Sequence, residues 1–423
     1  MKLAHLFALA GLALTSLASA EPSSIAPTKL TFTTYLGLVA NANLGVIAQK
    51  SNVTIARAQI AVARVFPDPT LTAGVAQYDL KGNDNPTATL LALNVPIVLG
   101  GKRAARIDFA ETAATVTEAE LDDFLRVLRG QASDAYVDSL RARLVLERKR
   151  RNQKSLDALV DVNKERLKAG DIGEAALIQS RVEAQLAHAD ALGAEGEVRA
   201  TDVALLILLG KKIAVSDQPI EVAGELRIPG KTLDSKALVA KALTLRPDLH
   251  AARRRAATAD RAIDLVRANR VIDVAVGATW QHNFAASSMP ASNFLGLTLT
   301  LPLPFSRVYR GDLDVAYGAR SQADVLVKAT EARVELEVKQ AIIRYDAAEA
   351  RVKIYEGGML SDADTVLERV LYNYRKGGAT LVEVLVAQRT ANDVYLSFYD
   401  ALAAAAHALV AVHVATAMPG PDL

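Results

Sequence analysis

The chain has 423 residues, and its 49 lysines and arginines against 47 aspartates and glutamates leave a formal net charge of only +2. This balance gives no electrostatic support for nucleic-acid binding, and the absence of cysteine excludes a disulfide scaffold, a thiolate metal site and a cysteine-linked lipid anchor. Hydrophobic residues make up 51% of the chain and aromatic residues only 5%, which is typical of closely packed, alanine-rich helices.

The N-terminus has the pattern of a cleavable signal peptide. Lys2 precedes an apolar run over residues 6–17, and the small residues Ala18, Ser19 and Ala20 follow it. A membrane anchor is the alternative interpretation, but the run is short and ends in a cleavage-like site. We expect residues 1–20 to be removed and the mature, exported chain to start at Glu21.

Two segments have the alternation of β-hairpins, at residues 70–97 and 271–301. In the second, Leu295, Leu297 and Leu299 lie on one face of a strand, and small or polar residues lie on the other. Such strands suit an outer-membrane barrel with lipid outside and water inside; the alternative is a soluble hairpin packed on its own helices. Four strands cannot close a barrel, so several copies must pool their strands, and three copies would supply twelve.

Each hairpin precedes an unusually long helical pattern. Residues 102–168 and 311–376 contain no proline, and each predicts a helix about 100 Å long at 1.5 Å per residue. A second helix is predicted after each, at 173–209 and 380–416, and a shorter one before each hairpin. The chain therefore divides into a first repeat (residues 21–210), a connecting segment (211–230), a second repeat (231–416) and a tail (417–423).

The breaks between the paired helices share a pattern. Residues 166–181 read RLKAGDIGEAALIQSR and residues 374–389 read YRKGGATLVEVLVAQR, an offset of 208 (374 − 166). Aligning Gly377 with Gly170 instead gives an offset of 207 residues. Tyr374 then aligns with Leu167, and Glu383 with Ala176. The sequence leaves both registers open.

Three groups of residues carry a family resemblance. Gly100-Gly101-Lys102-Arg103 follows the first hairpin, Pro302-Leu303-Pro304-Phe305 with Gly311 follows the second, and Tyr374-x-x-Gly377 precedes Leu381-Val382-Glu383-Val384-Leu385. Together they resemble the strand-to-helix junctions and the second periplasmic tip of TolC-family outer-membrane efflux proteins, with most similarity to the heavy-metal and cation RND efflux branch. The resemblance spans about residues 30–414.

The resemblance implies a mainly α fold with a small β part. In this family a homotrimer forms a 12-stranded outer-membrane β-barrel, with four strands per chain, continued by a long periplasmic α-helical barrel. A periplasmic adaptor and an inner-membrane RND pump dock at the tip, and in this chain the residues expected to contact the adaptor are Leu167, Gly170, Asp171, Tyr374, Gly377 and Gly378.

The resemblance also places Glu383 at the pore gate, where three copies could form a carboxylate ring. Val386 stands where a second acidic residue is expected, which weakens cation selectivity at this gate. Phe305-Ser306-Arg307 lacks the aspartate common in the cation branch, which weakens the assignment to metal export specifically.

Other functional patterns are weak. Gly100-Gly101-Lys102 is not a phosphate loop, because Arg103 replaces the required serine or threonine; its glycines suit a turn from strand to helix. His407 and His413 are six residues apart, which is poor spacing for a metal site. Residues 401–418 are apolar enough for a membrane helix but favour close packing. We expect no catalytic, cofactor-binding or metal site.

The sequence thus predicts a passive outer-membrane exit duct for metal cations or other small toxic compounds, driven by an inner-membrane pump. A type I secretion or drug-efflux duct of the same fold is one alternative. A soluble periplasmic coiled-coil adaptor or structural protein is another alternative. The presence of two β-hairpins and two helical hairpins argues against it, because an adaptor would need only one helical hairpin.

Overall fold

The computed structural model describes residues 30–77, 87–210, 221–226, 230, 233–285, 290–303 and 310–419. The expected signal peptide, Pro304, the 305–307 segment and most of the connecting segment lie outside the described residues.

The two halves of the chain contain the same series of elements, except that the long helix of the second half is divided in two. The first half has β1 (Leu30–Thr31), α1 (Phe32–Ala42), α2 (Leu44–Arg64), β2 (Thr70–Gln77), β3 (Thr87–Ile97), α3 (Lys102–Ala169) and α4 (Glu174–Leu208). The second half has β4 (Val222–Ala223), α5 (Ser235–Leu245), α6 (Pro247–Asn269), β5 (Val274–Asn283), β6 (Ser292–Thr300), α7 (Arg310–Ile354), α8 (Leu360–Arg375) and α9 (Leu381–Thr416). The fold is therefore mainly α with four long strands, which confirms the predicted class.

Shorter helices stack end to end beside the long ones. The Asn43 carboxamide caps the start of α2 by accepting from the backbone N–H of Gly45, and its nitrogen donates to the Leu208 carbonyl at the end of α4 at 2.9 Å. In the second half, Arg246 before α6 donates to the Ala415 carbonyl near the end of α9 at 3.3 Å. The contacts between helices then give four columns in the order α2–α4, α3, α6–α9 and α7–α8.

The second long helix is broken, whereas the sequence predicts one helix over residues 311–376. A π-helical turn, Tyr355–Met359, separates α7 from α8. Gly358 within it has φ 135° and ψ −23°, a backbone conformation that residues with a Cβ rarely adopt. The adjacent glycines Gly357 and Gly358 thus allow a break that apolar periodicity alone does not reveal.

The four long strands form one antiparallel sheet in the order β2-β3-β5-β6. Opposite residues form rows across it, and one row contains Leu71, Leu93, Ala278 and Leu297. That face is apolar and open, with 83% of Leu297 exposed. The neighbouring row, Thr70, Asn94, Gly277 and Thr298, is small and polar. The outer edges of β2 and β6 have no partner strand within the described sheet.

Glycines, an ion pair and a cation–π contact shape the first strand-to-helix junction. Gly100 and Gly101 both have positive φ, at 68° and 70°, and a Cβ on Gly100 would lie 2.5 Å from the Val271 Cβ. Lys102 Nζ lies 2.8 Å from Asp273, and the Arg103 guanidinium lies over the Phe66 ring at 4.5 Å. The second junction is different: Gly311 lies inside the first turn of α7, has no positive φ and has open space at its Cβ.

The main core lies midway along the helices, where both halves meet. β1 pairs with β4 in parallel, and the Tyr136 hydroxyl on α3 lies within hydrogen-bonding distance of the Leu30 and Ala223 carbonyls. Among the described residues, α9 alone is apolar and long enough to cross a membrane. Its alanine-rich part, including Ala401, Ala405 and Ala406, is buried in this core, so close packing explains its composition.

Candidate functional site at the helix tips

The α3–α4 and α8–α9 turns have the same backbone hydrogen bonds. Gly170 has φ 80°; its N–H donates to the Leu167 carbonyl at 3.0 Å, and the Asp171 N–H donates to the Arg166 carbonyl at 2.9 Å. Gly377 has φ 77°, and the N–H groups of Gly377 and Gly378 donate to the Tyr374 and Asn373 carbonyls at 3.1 and 2.9 Å. Both turns are Schellman motifs, in which a left-handed glycine ends the helix.

The matched turns decide the register of the repeat at the tip. The left-handed glycines are Gly170 and Gly377, an offset of 207 (377 − 170). The N-terminal caps of the returning helices, Gly173 and Thr380, have the same offset (380 − 173). Of the two registers that the sequence leaves open, the structure has 207, because the hydrogen bonds of the turn require glycine at one position.

Tyr374 lies inside the tip rather than on its surface. Only 2% of it is exposed, and its hydroxyl donates to Asn163 Oδ1 on α3 at 2.6 Å. Arg166 lies over its ring at 4.6 Å and donates to its carbonyl at 3.2 Å. Tyr374 therefore joins the two hairpins of one protomer. This burial argues against the predicted direct contact with an adaptor.

The other tip residues differ in exposure. Gly170, Asp171, Gly377 and Gly378 are exposed. Leu167 is half-buried and packs on the tip core of Leu159, Leu177 and Val384. Of the six residues predicted to meet an adaptor, the four at the turns themselves are therefore accessible in the protomer.

Glu383 is exposed and caps α9. Its Oε2 accepts from the Thr380 N–H at 2.6 Å, and the Thr380 hydroxyl accepts from the Glu383 N–H at 3.3 Å, which is a capping box. The hydrogen bonds from Thr380 lower the pKa of the Glu383 carboxyl below its ordinary value. The carboxyl is therefore ionised at neutral pH in the single chain. The first hairpin has no such cap, since Gly173 and Ala176 hold the equivalent positions.

Two further clusters connect the helices above the tip. The Arg148 guanidinium on α3 lies 3.9 Å from the centre of the Tyr395 ring on α9, and the Tyr395 hydroxyl donates to Asp364 on α8 at 2.5 Å. Higher up, His407 lies between Asp134 and Asp138, at 2.8 and 2.9 Å. Both clusters join residues that are far apart in the sequence.

Three residues of the tip were not predicted from the sequence: the capping Thr380, and Asn163 and Arg166, which contact Tyr374. The capping box was detectable, because threonine followed three residues later by glutamate before an apolar run is its signature. Asn163 and Arg166 carry no comparable signal, because their role depends on contacts with Tyr374 across the tip. Among the described residues, no group of three histidine or acidic side chains is arranged to hold a metal ion.

A sheet with one apolar, exposed face, carried on a stem of paired long helices, defines the protomer of an outer-membrane channel. A model of the outer membrane efflux protein family matches residues 36–211 and 238–417. The chain belongs to this family, and it is an efflux channel of the outer membrane with a periplasmic helical part.

Individual relatives agree with this assignment. The chain is 24% identical to the cobalt-zinc-cadmium resistance protein CzcC of Cupriavidus metallidurans, over 85% of this chain and 84% of the relative. Its fold is similar to that of the outer membrane protein VceC of Vibrio cholerae (18% identity, TM-score 0.70, covering 93% of this chain and 97% of VceC). It is also similar to the CmeC outer membrane channel of Campylobacter jejuni (14% identity, TM-score 0.75, covering 92% and 86%).

Proposed function

We propose that three copies of the chain form the exit duct of a tripartite RND-type efflux system that exports divalent metal cations. The observation that carries this proposal is the open sheet. Its apolar face is exposed, yet the free edges of β2 and β6 would leave unpaired backbone groups in lipid. Joining β2 of one copy to β6 of the next satisfies them, and three copies give twelve strands, enough for an open lumen.

The helices support the same closure. The α2–α4 column and the α7–α8 column lie at opposite sides of the protomer. Both have exposed apolar side chains, including Ile55 and Val182 on one side and Leu336 and Ile343 on the other. Because β2 follows α2 and β6 precedes α7, the strand edges and the helix stripes fall on the same two sides. A single rotation that relates one copy to the next therefore pairs the strand edges and the helix stripes together.

Metal cations are the proposed cargo because of the relation to CzcC, whose name refers to cobalt, zinc and cadmium resistance. A passive duct must release what passes through it, so the proposed cargo needs no tight metal site along its way. The driving force would come from an inner-membrane RND pump linked by a periplasmic adaptor. The exposed turns around Gly170, Asp171, Gly377 and Gly378 are the proposed adaptor contact.

The test combines assembly with cargo. Outer-membrane fractions on unheated gels are expected to contain a trimer band, and deletion of the gene is expected to sensitise cells to cobalt, zinc or cadmium. A soluble monomer after export would contradict the duct. A trimer whose loss sensitises cells only to organic toxins, or stops secretion of a polypeptide, would keep the duct and replace the cargo.

Glu383 provides a direct test of the proposed gate. Glu383→Gln preserves a side chain able to cap α9 but removes the charge. We expect a lower cation preference in planar bilayers, with trimer assembly and melting unchanged. Thr380→Ala is the matched control, because it removes half of the capping box and leaves the charge. Unchanged ion selectivity in Glu383→Gln would remove this residue from the gate.

A further inference from the structure

A groove runs along one side of the α8–α9 hairpin. It begins under the π turn at Gly357 and Gly358 and continues to Glu383 beside the tip. Its volume is about 740 Å³, within the range of about 300–1,000 Å³ that binding sites for drug-sized ligands have. Nothing in the proposed transport of metal ions requires an apolar groove of this size.

The walls of the groove are apolar and exposed. Met359 and Val366 are 41% and 53% exposed, and Val382 and Val386 are 58% and 60% exposed. Exposed apolar side chains that converge on a concave surface indicate a binding partner. Val386 also stands where the resemblance predicts a second acidic residue at the gate, so the valine there extends the apolar wall.

The charges of the groove are of one sign. Asp362 lies near its upper end and Glu383 near its lower end, and no lysine, arginine or histidine lines it. Counting residues from the turn along each helix places the two carboxylates about 16 Å apart along the groove at 1.5 Å per residue. A ligand with an apolar body and a positive charge complements this arrangement. A helix of a second copy with no basic residue opposite these positions would bury both carboxylates unpaired, which is costly.

We propose that this groove binds amphiphilic organic cations, with the apolar body against the valines and the charge beside Asp362 or Glu383. All the residues that line the groove belong to one protomer, so the proposal does not depend on metal being the exported cargo. An occupant would lie next to the proposed gate residue and would compete there with a passing metal ion.

Tetraphenylphosphonium and tetraphenylborate are suitable probes, because they have nearly the same size and shape and opposite charge. The full-length protein in lipid nanodiscs is dialysed to equilibrium against each ion, with protein-free nanodiscs as the blank. We expect saturable binding of the cation and none of the anion. Equal binding of the two ions would overturn the proposal.

Variants locate the site. Val382→Ser with Val386→Ser is expected to weaken cation binding about tenfold, because two apolar contacts are lost. Val127→Ser with Val203→Ser is the matched control, since these valines on α3 and α4 are 39% and 38% exposed and lie outside the groove. Asp362→Asn with Glu383→Gln is expected to remove the preference for the cation over the anion. Melting of each variant verifies that it is folded. Equal affinities in the groove and control variants would overturn the proposal.

A second copy is the competing occupant, and the absence of native cysteine makes it easy to detect. Val382→Cys would form disulfides between protomers if the grooves face each other. Efficient cross-linking together with no saturable cation binding would assign the groove to the trimer interface and overturn the proposal. Failure of trimer assembly with binding intact would contradict only the proposed function.

Discussion

Tyr374 shows how one side chain joins two hairpins. Its hydroxyl and Asn163 Oδ1 are each buried, and the Asn163 amide nitrogen has no partner among the described residues. Tyr374 and Leu167 occupy equivalent places in the two repeats, and both point into the tip. At this position the second hairpin has a hydrogen-bonding side chain, whereas the first has the apolar Leu167.

Tyr374→Phe tests this link. The change leaves a buried acceptor unpaired, and we expect it to destabilise the tip by about 1–3 kcal/mol. Faster hydrogen–deuterium exchange of the tip amides is the measurement. Tyr372→Phe is the control, because Tyr372 is 62% exposed. Equal exchange in the two variants would show that the buried hydrogen bond does not hold the hairpins together.

His407 predicts a pH dependence of stability. Hydrogen bonds to Asp134 and Asp138 raise its pKa to about 9, so folding favours the protonated ring. Its contribution is complete below the ordinary pKa of about 6.5 and is lost as the pH rises through about 9. We expect wild-type melting to fall toward that of His407→Gln across this window. His188→Gln, which changes an exposed histidine, is expected to keep the wild-type profile.

Among the elements, the broken second arm differs most from its counterpart. α3 runs without interruption from junction to tip, whereas α7 and α8 meet at the π turn. Below this turn α8 buries a single residue, Tyr374. The helix is therefore held at its lower end by Tyr374 and near its upper end by the Asp364–Tyr395 hydrogen bond.

Gly358→Ala tests the break. Open space surrounds both glycines of the turn, so no atom blocks a methyl group. Only Gly358 has positive φ, and its substitution should cost about 1–3 kcal/mol in backbone strain. Gly357→Ala is the matched control and should leave stability nearly unchanged. Thermal unfolding measures both, and equal melting temperatures would contradict a strained position at 358.

At the scale of the whole molecule, the two open sides of the protomer determine assembly. Ile343→Glu places a charge on the apolar stripe of α7, and we expect it to abolish the trimer while each protomer stays folded, because the carboxylate would be desolvated between copies. Arg344→Gln changes the net charge equally at the next position, outside the stripe. Gel mobility without heating compares them. Loss of the trimer in both variants would point to net charge instead of the stripe.

The class of fold and the outer-membrane assignment could be predicted from local patterns. Alternation in strands and proline-free helical segments specify which faces are apolar, and these depend only on near neighbours in the chain. The glycines of the tip, the capping threonine and the junction glycines are equally local signals. The local sequence therefore contains the signal for each of these elements, although the register of the tip needed the structure.

Other features depended on contacts through space. Asn163 and Tyr374 are 211 residues apart, so neither residue reveals its partner. The register of 207 followed from which glycine takes a left-handed conformation, and the break in the second long helix from the positive φ of Gly358. The sequence by itself determined the elements, their faces and the membrane they suit, because these follow from the periodicity of side chains. Only the tertiary structure decided which tip residues are buried and which are accessible, because burial depends on where distant segments meet.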